Sequence, residues 1–163
     1  MTKIHLSRFA LSRAARAAAL CISALALATG VQAAGDKTAY NQTKDSAKAT
    51  YETAKKACDA MSGNAKDICV AEAKAVRTKT EVDAEAMYKD TPKAREHAIH
   101  ETAEANYKVA KERCDDKKGN EKDVCVKVAK AVMVKAKADA KATQKGTEAR
   151  MDANEEKREA DYK

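Results

Sequence analysis

The chain repeats itself at an offset of 56 residues, and the repeat carries its cysteines. Tyr51–Asp59 (YETAKKACD) matches Tyr107–Asp115 (YKVAKERCD), and Gly63–Val70 (GNAKDICV) matches Gly119–Val126 (GNEKDVCV). Ala73–Val76 and Ala129–Val132 both read AKAV. From Tyr51 to Val76, 15 of 26 positions are identical to their counterparts. Two copies of one unit, spanning about residues 44–90 and 100–145, therefore set the architecture.

Each copy reads as helix, turn, helix. Ala47, Tyr51, Ala54, Cys58 and Met61 step by 4, 3, 4 and 3, a single stripe of a helix, and Ala103, Tyr107, Ala110 and Cys114 repeat that spacing. Beyond the turn, Cys69, Ala73, Val76 and Thr80 form a second stripe, as do Cys125, Ala129, Val132 and Ala136. Gly63 and Gly119 are expected to stop the first helix of each copy, with Asn64 and Asn120 capping the second. Between copies, Thr91 caps and Pro92 takes the first helical position. The predicted helices span roughly 38–62, 64–89, 92–118 and 120–145. From Gly146 to Lys163 the chain is charged with no durable stripe, and a frayed helix or a disordered tail is expected there.

Cys58, Cys69, Cys114 and Cys125 allow three pairings. Cys58 stands five residues before Gly63 and Cys69 five after Asn64, at matching heights on antiparallel helices and each on its apolar stripe. That geometry favours Cys58–Cys69 and Cys114–Cys125. A helical turn with pairing between the copies, like twin Cys-x9-Cys hairpins, fits the Gly-Asn pair and the ten-residue spacing less well. A four-thiolate zinc site would need ligands closer in sequence. No Cys-x-x-Cys supports thiol–disulfide exchange.

The staples matter because the interior is poor. After Ala34 there is no Leu, Phe or Trp; Val, Ile68, Ile99, four Met and the Tyr residues are the large apolar side chains, and the rest is Ala. Alanine favours helix but removes little area from water. Tyr51 and Tyr107 are expected to pack beside the disulfides.

Residues 1–33 have the three parts of a secretory signal. Lys3, Arg8, Arg13 and Arg16 precede an apolar run, Ala17–Ala28, and Val31-Gln32-Ala33-Ala34 fits cleavage after Ala33 best, with cleavage after Ala34 the alternative. The run is too short to cross the ~30 Å hydrocarbon layer comfortably. Cys21 follows Leu20, unlike a lipoprotein signal, and no membrane span is expected after cleavage. The four basic residues of the leader take +4 of the +7 net charge with them, leaving +3 on a chain of interspersed signs. With no aromatic residues interleaved among basic ones, nucleic-acid binding is not expected.

His97, His100 and Glu101 share one predicted helix at spacings that would let two imidazoles and a carboxylate meet a divalent cation. A solvated, charged helix face is the plainer reading, and the first copy has Asp45, Lys48 and neighbours there, without the histidines. There is no phosphate-binding glycine loop and no activated nucleophile; no cofactor and no catalysis are expected.

The doubled Gly-Asn-x-Lys-Asp-(Ile/Val)-Cys-Val run, with a Tyr seven residues before the first Cys of each copy, resembles a group of uncharacterised exported proteins of proteobacteria. Their Ala/Lys-rich helices are similar in composition alone to the helical stalk of the Tol envelope protein, from which the stapled turns depart. The resemblance covers residues 40–143 and implies no activity.

The sequence thus predicts an all-α protein of two tandem disulfide-stapled hairpins, in an antiparallel four-helix bundle or a looser, elongated arrangement. Equal helix lengths and short turns support the bundle. A periplasmic, non-enzymatic role in envelope maintenance or stress is expected, through envelope proteins or self-association; the alternative is metal buffering by His97 and His100.

Overall fold

The computed structural model describes residues 35–162; the predicted signal sequence lies outside the described residues. Four antiparallel helices follow one another: α1 (Lys37–Cys58), α2 (Gly63–Lys89), α3 (Pro92–Cys114) and α4 (Gly119–Asp161). α1 packs on α2, α2 on α3 and α3 on α4, and no other pair of helices touches among the described residues. The four described helices therefore stand as an open row, and α1 and α4 each keep one side that no other described helix covers. No helix among the described residues is long and apolar enough to cross a membrane.

Each helix start has a local cause. The Asp36 carboxylate accepts from the amides of Thr38 at 2.8 Å and Ala39 at 3.1 Å, satisfying two donors that have no partner inside the helix. Thr91 Oγ1 accepts from the Ala94 amide at 3.1 Å, and Pro92 opens α3 where a missing amide costs nothing. Asp90 closes α2 in the left-handed conformation, at φ 46°, with its amide donating to the Ala86 carbonyl.

The two stapled corners differ from expectation. Gly63 and Gly119 do adopt the left-handed region, at φ 56° and 52°, but they open α2 and α4. α1 already ends at Cys58 and α3 at Cys114, where the amides of Asp59 and Asp115 turn to carbonyls three residues back. The extended residues before the second helices are Ser62 and Lys118, without a side-chain capping bond. Asn64 and Asn120 are thus not the caps the sequence suggests; each sits one residue inside its helix. The chain past Gly146 is not a separate fifth stretch either. α4 runs through Gly146 to Asp161, 43 residues or about 65 Å.

The buried interior is alanine. Of twelve buried apolar residues among the described residues, nine are Ala, joined by Val109, Cys58 and Cys114. Six of them lie on α3, which is flanked on both sides. Small side chains let paired helices approach closely but leave nothing large enough to fill the centre of a closed bundle. An open row is the arrangement such a composition supports.

Candidate interaction surfaces

The corner of each hairpin is built the same way twice. Disulfides join Cys58 to Cys69 and Cys114 to Cys125, each pair with its Cα atoms 5.7 Å apart. Across the first corner Lys66 meets Asp59 at 2.9 Å, and across the second Lys122 meets Asp115 at 2.9 Å. The Lys66 ammonium, by hydrogen bond and by charge, holds the Asp59 carboxyl below the usual aspartate range. This ion pair belongs to the repeated motif, in the Asp after the first Cys and the Lys before the second, and sequence reasoning passed over it. The fixed spacing in both copies was the available signal.

The corners part ways in what they touch. The Asn64 amide donates to the Glu112 carbonyl at 2.9 Å and to the Asp116 carboxylate at 2.6 Å, tying the first corner to the end of α3. Beside it, Glu72 of α2 pairs with Arg113 of α3 at 2.6 Å. At the last seam Lys137 of α4 pairs with Glu104 of α3 and keeps that carboxyl below the usual glutamate range. Asn120 is exposed and makes no side-chain hydrogen bond among the described residues.

Between α1 and α2 runs a groove of about 440 Å³, lined by Ala47, Tyr51, Ala54, Ala73 and Val76. The Arg77 guanidinium lies 5.5 Å from the centre of the Tyr51 ring. Tyr51 and Tyr107 are both half-buried. At the other end of α1, Tyr40 stacks on Tyr88 with ring centres 5.1 Å apart. These contacts fix the seam by ring and alkyl surface, not by reactive groups.

The residues singled out for metal do not assemble into a site. His100 Nδ1 lies 3.8 Å from Glu101 and 3.7 Å from Glu104, but the Glu104 carboxylate is already held by Lys137. His97 is exposed, within electrostatic reach of Glu85 on α2. No group of three or more His, Cys, Asp and Glu side chains placed to hold a metal forms among the described residues.

Large apolar side chains gather in the open on α4. Val124, Val128, Val132 and Val134 are all exposed. An open groove of about 670 Å³ runs beside the second disulfide, between Ala110 and Arg113 of α3 and Val124 and Val128 of α4. Compared with known proteins, the chain matches no family model, no curated protein and no solved structure.

Proposed function

We propose that this is an exported, non-enzymatic helical protein of the periplasm, acting in envelope maintenance or stress through protein contacts made by its helix faces. The observation that carries the reading is the exposed apolar surface of α4, where Val124 and Val128 border an open groove beside α3 and Val134 stands exposed on a helix that packs on α3 alone among the described residues. Exposed apolar surface that serves no contact is a liability to a soluble chain. Two disulfides at the hairpin corners support an oxidising compartment, where such bridges persist. The groove between α3 and α4 is lined mainly by alanine, valine and the alkyl parts of long side chains, and that between α1 and α2 adds the hydroxyls of Thr43, Ser46, Thr50 and Thr80. Crosslinking in intact cells, followed by recovery of the tagged chain from the periplasm, tests the proposal. Envelope proteins joined to the chain, and lost with Val128→Glu, are the expected result. A chain recovered strictly alone would remove it.

A further inference from the structure

The 56-residue offset maps α1 onto α3 and α2 onto α4, so each seam can be compared with its equivalent. On the side of α2 that meets α3, Asn64, Ile68, Ala71, Ala75, Thr78 and Val82 step by 4, 3, 4, 3 and 4, and all are half-buried. The same positions on α4 are Asn120, Val124, Lys127, Ala131, Val134 and Ala138, and every one is exposed. Val124 is 50% exposed and Val134 53%, with Val128 beside them at 58%. The matching half of that seam is α3, whose Ala94, Ala98, Glu101, Ala105 and Glu112 are buried or half-buried. Their equivalents on α1 are Thr38, Gln42, Asp45, Ala49 and Lys56, again all exposed. The row therefore ends in the two unfilled halves of a joint it has already made once inside itself.

We propose that further copies of this chain fill those halves, α4 of one copy packing on α1 of the next as α2 packs on α3. The proposal rests on the reading of the helix faces as contact surfaces, and it names the partner as a second copy.

Between the internal seam and the proposed one Ala94 and Ala98 give way to Thr38 and Gln42 on α1, and one contacting pair changes on both sides at once. Glu72 and Arg113 form an ion pair across the internal seam; their equivalents are Val128 and Ala57, so both charges go and an apolar pair takes their place. Asn64 donates to the main-chain carbonyl of Glu112, and the equivalent acceptor for Asn120 is the carbonyl of Lys56, which does not depend on the side chain there. Asn120 is thus retained without a side-chain hydrogen bond among the described residues. Lys127 stands where α2 has Ala71, and a lysine can lay its stem along a seam with its ammonium in water. A joint between unlike faces is heterologous, so each addition leaves a free α1 and a free α4 until a ring closes.

Blocking each face separately tests this in the protein purified from its oxidising compartment, with molar mass followed by sedimentation across a concentration series. Val124→Glu with Val128→Glu blocks α4, and Ala49→Glu with Ala57→Glu blocks α1; all four positions are exposed. If either pair lowers helix content, the single V124E and A49E changes serve instead, at the counterparts of Ile68 and the buried Ala105. Wild-type mass is expected to rise with concentration beyond a dimer, and each blocked chain alone to stay monomeric. Mixed together, the two blocked chains should form a one-to-one complex of about twice the monomer mass and nothing larger, since one good face of each kind remains. A wild-type chain that is monomeric at every concentration overturns the proposal. So does an α1-blocked chain that still dimerises, the mark of a two-fold α4 contact, or a mixture that stays monomeric. Envelope proteins recovered by crosslinking with a chain that is monomeric alone would leave the functional reading standing while this one falls.

Discussion

Asn64 and Asn120 show how one residue in one motif takes on different work. The first ties two hairpins together through a main-chain carbonyl and a carboxylate; the second makes no such bond among the described residues. Asn64→Ala should lower the unfolding free energy by about 1 kcal/mol, the net worth of a typical intramolecular hydrogen bond. Asn120→Ala should leave it nearly unchanged, both measured by chemical denaturation of dilute protein. Equal effects would mean that the tie does not form. Acid sensitivity belongs to the same scale. Asp59, Glu85 and Glu104 are held below the usual carboxylate range by the ammonium groups of Lys66, Lys89 and Lys137. A carboxyl depressed in the folded state contributes stability that is present above its unfolded value and lost as pH falls through the folded one. Thermal melting should therefore be flat from neutrality down to about pH 4.5 and decline below it. The decline should be shallow and should shrink in high salt, because these pairs are in contact with solvent. A steep loss between pH 7 and 5 would point to another group.

At the scale of the element, the sequence carries the helices and the staples more clearly than the corners. The stripes ending in Cys58 and starting at Cys69 place both cysteines on facing sides of a hairpin, and the observed bridges follow that logic. The corner residues mislead because nothing in Asp59–Ser62 forbids helix, and Met61 extends the apolar stripe one step further. In the fold Met61 is exposed, and the helix has ended at Cys58. Contacts between hairpins were legible only indirectly, in positions where the copies differ as a pair, such as Glu72 with Arg113 against Val128 with Ala57. Gly146 misleads in the opposite sense: a glycine costs a helix roughly 1 kcal/mol against alanine, and α4 carries that cost without breaking. The worth of the staples follows from the poverty of the seams they close. Each bridges a sequence separation of 11, for which chain-entropy reasoning gives ~3 kcal/mol. Cys58→Ala with Cys69→Ala should lower the melting temperature by roughly 10 °C. Reductant should lower the wild type further than it lowers this variant, which has only one bridge left to lose. A wild-type melt indifferent to reductant would contradict the account.

At the scale of the molecule, four similar helices joined by short turns suggest a closed bundle, whereas the chain lays them in a row. A bundle repays its closure with large side chains meeting at a common centre. Here the seams are pairwise and made of alanine, with no large side chains to meet at a common centre. The row also explains how α4 can outrun its neighbour. Gln144 is its last buried residue, 8% exposed, and its side chain links Lys141 to Glu148 by bonds of 2.8 Å each. From Ala149 to Tyr162 every residue is exposed. A helix without a packed face draws its order from propensity and from the turns before it. Ending the chain after Glu148 should therefore leave the melting temperature and cooperativity of the row unchanged, while helical ellipticity falls roughly in proportion to the residues removed. Ending it after Thr143 removes Gln144 and should lower the melting temperature as well. If the shorter cut alone weakens the melt, the last turns of α4 pack on surface that the row of four helices does not supply.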